Sequence, residues 1–362
     1  MIEPFRPDIF SEIKPVFSDV GIEKAKEIRT VFKTNYGSLN AEVTRVRKFG
    51  GIEINSNNFR IETDKGQFIL KFFDDLSKKE LEAVEKQHAL MAWLYMKEVS
   101  CPFPHIGQEH VYVNHIDGGK YISLLHFVDG GYFPGIEAPD IRKIGKAVGK
   151  FHAQLNSAPN ELKPNRQYPH LSNTDKEVFN DVIYQSQKIL SKFPTEHRSL
   201  LVNNNTLLKE AWAQVLSYQD DFIQSKQGLV HIDIHPHNVI MSENSEPIFL
   251  DFDSLMHAPL KMMLGFSAYK LLRQIVSRNG KNMSQEEKRT LVYDYLEGAT
   301  LFLPDLDVSP KSIAIFAYTE ICRRIAYILR LNIFESNPSW NHVLEIQIAG
   351  LVEVGLLCGE SS

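Results

Sequence analysis

Residues 231–238 read HIDIHPHN and residues 251–253 read DFD, and the apolar runs around them leave this chain few ways to fold there. Residues 228–230 (GLV) lead in as a short strand, 239–241 (VIM) leave as another, and 248–250 (IFL) run into Asp251 as a third. The polar stretch 242–247 between the last two is a turn, which predicts a hairpin. A hairpin brings Asn238, at the start of one strand, beside Asp251, at the end of the next. An amide oxygen and a carboxylate can then share one divalent cation.

This layout reads as phosphoryl transfer. Attack on a γ-phosphate needs an oriented hydroxyl, an acceptor for its proton, and neutralisation of phosphate charge. Asp233 suits the first two tasks as catalytic base. Asn238 and Asp251 suit the third, being hard oxygen donors matched to Mg2+ rather than zinc. Asp253 reads as a second metal ligand or as a turn acceptor.

With these residues the sequence resembles the aminoglycoside phosphotransferase and choline kinase family, small-molecule kinases whose H-x-D-x-x-x-x-N loop and later Asp match His231, Asp233, Asn238 and Asp251. The resemblance covers roughly residues 40–300, with the sharp motifs confined to 231–253. It implies an α+β, bilobal, protein-kinase-like fold: a small N-terminal lobe of antiparallel sheet plus one helix, and a larger, mostly helical C-terminal lobe. The expected division is 1–128 for the ATP-binding lobe and 129–362 for the catalytic and substrate-binding lobe, with 156–227 as a variable helical insertion.

In the ATP-binding half, residues 59–63 and 67–73 are β-rich runs joined by Asp64, Lys65 and Gly66, a hairpin turn. Lys71 is a lone ammonium in the second run. Burying it unpaired is costly, so it is expected on a nucleotide phosphate and a helix carboxylate. Ser77 to Glu80 forms a capping box opening a helix over 78–97. From that helix Glu85 is the chosen partner for Lys71, with Glu82 in the same turns and Gln87 where the family often has glutamate. Gly50, Gly51, Ser56 and Asn57 offer donors for a phosphate-covering loop. The strand 121–128 ends at Asp129, Gly130 and Gly131 as a hinge, with adenine expected on the backbone of His126, Phe127 and Val128. Ile141, Ile144, Val148, Phe151 and Leu155 mark an amphipathic helix in which His152 reads as a core histidine.

The insertion 156–227 predicts helices over 178–193 and 207–222. Farther on, a capping box at Ser284 and Glu287 opens a helix bearing Tyr293, Tyr295 and Glu297, and a helix over 313–331 bears Glu320, Arg323 and Arg324. In this architecture these helices line the acceptor pocket, so an amino alcohol, a homoserine-like alcohol, a sugar or an aminoglycoside fits as the small-molecule hydroxyl acceptor.

At 362 residues and 43% hydrophobic content the chain can bury two cores. Forty-five acidic against forty basic residues, with no long basic tract, speak against a nucleic-acid partner. No uncharged apolar run reaches eighteen residues, so no membrane partner is expected, and Cys101, Cys322 and Cys358 read as reduced thiols of a cytoplasmic protein. A homodimer is left open. Two rival readings use the same stretch. The alternating His231, Asp233, His235 and His237 would be ligands of a metal-dependent hydrolase, and the intact Asp233, Asn238 and Asp251 also suit an atypical protein Ser/Thr kinase.

Overall fold

The computed structural model describes residues 4–6, 14–50, 57–135, 141–242, 246–279 and 283–358. Alternating apolar positions build the small lobe first. β1 (Phe17–Asp19), β2 (Val43–Phe49), β3 (Asn58–Thr63), β4 (Gly66–Asp74), β5 (Pro104–His105), β6 (Val113–Ile116) and β7 (Lys120–His126) form one antiparallel sheet. Its order is β1-β2-β3-β4-β7-β5, with β6 also on β7. The β3–β4 hairpin turns where expected, pairing Thr63 with Gly66, whose φ of 141° only glycine adopts readily.

The inner face carries Phe59, Ile61, Phe68, Leu70, Ile122 and Leu124. Helix α1 (Ile22–Tyr36) covers it with Ile28, Phe32 and Tyr36, spaced four apart so that they share one face. Each such fully buried side chain contributes about 1.5–3 kcal/mol. The small lobe therefore holds two helices, not one: α2 (Lys78–Met96), opened by the predicted Ser77–Glu80 capping box, is the second. Leu90, Met91 and Leu94 of α2 belong to the larger core, so this helix spans the junction between the lobes.

Helices dominate the large lobe: α3 (Ile141–Ser157), α4 (Asn173–Ile183), α5 (Gln187–Leu190), α6 (Thr195–Asn203), α7 (Asn205–Ser217), α8 (Gln219–Gln224), α9 (Met262–Asn279), α10 (Gln285–Thr300), α11 (Pro310–Phe334) and α12 (Leu344–Cys358). The insertion is more broken than its periodicity predicts. After Ile183 the backbone turns left-handed at Gln185 (φ 56°), and a new helix starts behind Pro194. Small strands frame the loops: β8 (Gly131–Tyr132) pairs with β10 (Val239–Met241), which pairs with β11 (Pro247–Phe249), while β9 (Gln227–His231) pairs with β12 (Leu255–Pro259).

Residues 341–358 are apolar and long enough by composition to cross a membrane. Here Leu344, Ile348, Leu351, Val354 and Leu357 pack in the larger core, and the buried Glu353 accepts hydrogen bonds from Arg273 Nε and Tyr269 Oη at 2.7 Å each. The Phe5 amide donates to the same carboxylate at 2.6 Å, and its side chain packs against the larger core. Phe5 thus lies on the large lobe, ahead of β1 in the small one.

Helices α3 and α10 meet backbone to backbone. A Cβ on Gly145 would run into the carbonyl of Tyr295, one on Gly149 into that of Ala299, and one on Gly298 into that of Arg142. No rotamer change relieves contact with a carbonyl. Gly149→Ala is therefore expected to destabilise the protein by about 1–3 kcal/mol, measured by denaturant unfolding; an unchanged midpoint would mean that these helices can separate without cost.

Candidate active site

The catalytic-type loop is anchored through histidines. β9 ends at His231, whose buried ring donates from Nε2 to the Leu250 carbonyl at 2.8 Å and accepts at Nδ1 from the Asp233 amide at 3.3 Å. Its own amide donates to His152 Nε2 at 3.2 Å, while His152 Nδ1 donates to Val148 O at 2.8 Å. Burial lowers His152 to about 3, so its ring is neutral and serves as a core histidine, as the helical pattern predicts.

Pro236 starts a turn of 3-10 helix that ends at Asn238. The predicted hairpin follows, with Val239 opposite Phe249, and the Leu250 amide donates to Asn238 O at 2.9 Å. Asn238 Nδ2 donates to the Asp233 carbonyl at 2.9 Å. The amide nitrogen being engaged, the oxygen is the end available to a cation. Asp251 sits in the left-handed region (φ 57°, ψ 62°), which aspartate and asparagine tolerate better than other side chains.

Asn238, Asp251 and Asp253 line one cavity with Lys71, His88 and Val128; its volume is about 350 Å³, within the range of small-ligand sites. Burial raises the Asp251 carboxyl above its usual range, and the Asp253 charge adds to this. Two carboxylates and an amide oxygen at one wall form a donor set that a divalent cation would neutralise. One or two carboxylates plus substrate phosphates are what Mg2+ ordinarily takes.

Lys71 extends from β4 toward this wall, with Nζ 3.9 Å from Asp253 Oδ2. The expected partner, Glu85, is elsewhere: its two carboxylate oxygens accept the amides of Tyr112 (3.3 Å) and Val113 (2.6 Å), satisfying the start of β6. The α2 side chains on the cavity are Gln87, His88 and Met91. His88 Nδ1 donates to Val84 O at 2.8 Å, leaving Nε2 as an acceptor that is buried and without a partner among the described residues. Asp253 bonds no turn amide among the described residues, so its carboxylate is not the turn acceptor of the alternative reading; it faces Lys71.

At the end of β7, the His126 amide donates to Phe103 O (2.7 Å) and the Phe127 amide to Gln67 O (2.9 Å). Of the three backbone amides in this segment, that of Val128 has no partner among the described residues. The Arg60 guanidinium braces the segment, 4.2 Å from the Phe127 ring and 4.9 Å from that of Phe17. The two described residues of the expected phosphate loop are bonded within the protein. Gly50 donates to Val16 O at 2.9 Å and Asn57 Nδ2 to Asp74 at 3.1 Å, and neither lines the cavity, whereas Phe49 and Asn58 do. Gly51 and Ser56 lie outside the described residues.

Asp233 is not on the cavity wall. Its Oδ1 accepts Arg324 Nη2 at 2.8 Å, and His235 Nε2 is 3.8 Å from Oδ2. Burial alone would raise this carboxyl, but Arg324 and His235 outweigh it and hold Asp233 well below the usual carboxylate range. Arg324 in turn donates from Nε to the fully buried Glu320 at 2.7 Å; Arg323 (2.7 and 2.8 Å) and Tyr168 Oη (2.8 Å) complete that carboxylate. Sequence reasoning placed these arginines near the acceptor but had no signal for a contact across 91 residues. The alternating histidines do not form a ligand set. β9 ends at His231, His235 Nδ1 accepts the His237 amide at 3.3 Å, and among the described residues no three His, Cys, Asp or Glu side chains gather as metal ligands.

The fold and this cleft are those of a bilobal, protein-kinase-like phosphotransferase. Residues 46–262 match the model of the phosphotransferase enzyme family (APH), and the chain belongs to that family. A homoserine kinase from Bartonella tribocorum (strain CIP 105476 / IBS 506) is 26% identical over 231 residues, 61% of this chain and 62% of that one, so the match spans less than two thirds of that relative. In fold, the chain is similar to a spectinomycin phosphotransferase solved with ADP and spectinomycin (TM-score 0.67, 16% identity, 92% of this chain and 98% of that one). It is also similar to a choline kinase from Streptococcus pneumoniae (TM-score 0.53, 17% identity, 90% and 98%).

Proposed function

We propose that this enzyme moves the γ-phosphate of ATP, with Mg2+, to a hydroxyl of a small molecule, and that it works in the cytoplasm. The observation that carries this reading is one cavity wall that joins Lys71, Asn238, Asp251 and Asp253, with Val128 on the same cavity. The lobe boundary is taken at Val128 and Asp129. Adenine would accept from the Val128 amide, and Lys71 would meet the phosphates. Asn238, Asp251 and Asp253 would hold the metal, which when bound neutralises the charge on the transferred group.

Asp233 orients the acceptor hydroxyl and takes its proton. An O–P bond forms to the acceptor, the bond from the γ-phosphorus to the bridging oxygen breaks, and ADP leaves with the electron pair. Because Arg324 keeps Asp233 ionised, the base is always in the form that accepts a hydrogen bond from the alcohol. Its low basicity is tolerable because phosphoryl transfer depends on positioning and electrostatics more than on early proton removal.

An ATP-consumption screen over amino alcohols, homoserine, sugars and aminoglycosides, with and without Mg2+, tests the proposal. Acceptor-dependent ADP formation that requires Mg2+ is expected. Absence of Mg2+-dependent ATP binding by calorimetry would remove it.

A further inference from the structure

The cations around Asp233 stand apart from the nucleotide cavity. Arg323, Arg324 and Asp233 are all absent from its lining, which carries Lys71 as its own phosphate partner. The Glu320 carboxylate is fully engaged: Oε1 by Arg323 Nη2 and Arg324 Nε, Oε2 by Arg323 Nε and Tyr168 Oη. Each guanidinium still has its Nη1 donors outside these bonds among the described residues. The side chains of Arg323 and Arg324 are 20% and 28% exposed, so neither is sealed from solvent. Arg324 lies 4.3 Å over the Phe266 ring, which fixes the plane of its fork, and Lys270 Nζ is 5.5 Å from the same ring. Arg166, two residues before Tyr168, donates to Asp253 O at 2.7 Å and pairs with no carboxylate among the described residues.

Planar, pre-oriented guanidinium donors are matched to a carboxylate. A cationic acceptor brought to the same place would find both nearby carboxylates, Glu320 and Asp233, already engaged by guanidinium. We propose that the acceptor alcohol carries a carboxylate, taken by the Arg323–Arg324 pair while its hydroxyl lies on Asp233. This rests on the reading of Asp233 as the hydroxyl-orienting base. A small hydroxy amino acid or hydroxy acid has this chemistry; choline and the aminoglycosides have the opposite charge.

The test compares L-homoserine, L-serine, L-threonine and glycerate with their neutral amides, and with choline and spectinomycin, at saturating magnesium-ATP. A carboxylate member is expected to exceed its amide by about 100-fold in kcat/KM. Arg323→Lys retains a charge for Glu320 but loses the fork. It is expected to raise KM for that acceptor at least about 10-fold with KM for ATP unmoved. The inference is overturned if a neutral or cationic alcohol is the best acceptor, if no carboxylate is turned over while magnesium-ATP binds, or if Arg323→Lys raises KM for ATP instead. Failure of magnesium-ATP binding strikes the underlying phosphotransfer reading, and is thereby distinct from these three results.

Discussion

Asp233→Asn is expected to lower kcat by about 10²–10⁴-fold while magnesium-ATP still binds. Asparagine keeps the shape and an oxygen that can accept from Arg324, whose other anchor, Glu320, is untouched. The Asn238 side chain holds the backbone carbonyl of residue 233, so the loop geometry survives the exchange. What disappears is a negative charge beside the attacking hydroxyl and a site for its proton. Single-turnover kinetics together with nucleotide calorimetry separate the two functions. Turnover within tenfold of the unaltered enzyme would dismiss Asp233 as base. Since Arg324 and His235 hold this carboxyl low, its protonation lies below the working range, and an acid limb in the pH–rate profile belongs to another group.

Asp251→Asn is expected to weaken Mg2+-dependent nucleotide binding by roughly 100-fold, about 3 kcal/mol, the scale of one lost charge-to-metal contact. Asparagine adopts the left-handed backbone of this position, so the substitution removes charge without adding strain. The ligand-free protein should behave in the opposite sense. A carboxyl whose folded pKa is raised is worse off ionised in the fold than in the unfolded chain, so above that pKa its charge costs stability. Neutralising it should leave the ligand-free melting temperature at or above that of the unaltered protein, while the shift produced by magnesium-ATP disappears. Full nucleotide affinity in Mg2+ would refute the assignment; a large fall in ligand-free stability would show that Asp251 is structural.

The sequence made legible what is encoded over short distances. The run from His231 to Asp251 declares its strands through apolar triplets and its turn through polarity, and the expected hairpin forms, with Val239 opposite Phe249. The helix at Ile141–Ser157 buries its whole predicted stripe. Helix α1 was missed although Ile28, Phe32 and Tyr36 carry its period, because charged residues dilute the signal around them. Partnerships across long separations stayed hidden for a different reason. Glu85 had a sensible role on Lys71, yet two backbone amides 27 and 28 residues away claim it, since donors leading into a strand need acceptors as much as an ammonium does. The same limit applies to Arg324 and Asp233, where identity and charge were visible but not the meeting.

Phe5 rests on the large lobe and Phe17 on the small one, so the polypeptide passes between the lobes ahead of β1 as well as after β7. Relative rotation that stretches the span from residue 6 to residue 17 is limited by eleven peptide units, at most about 40 Å, whereas rocking about a line through both crossings is not. Severing the leading residues would therefore alter how the two halves travel, even with every nucleotide-facing side chain left in place.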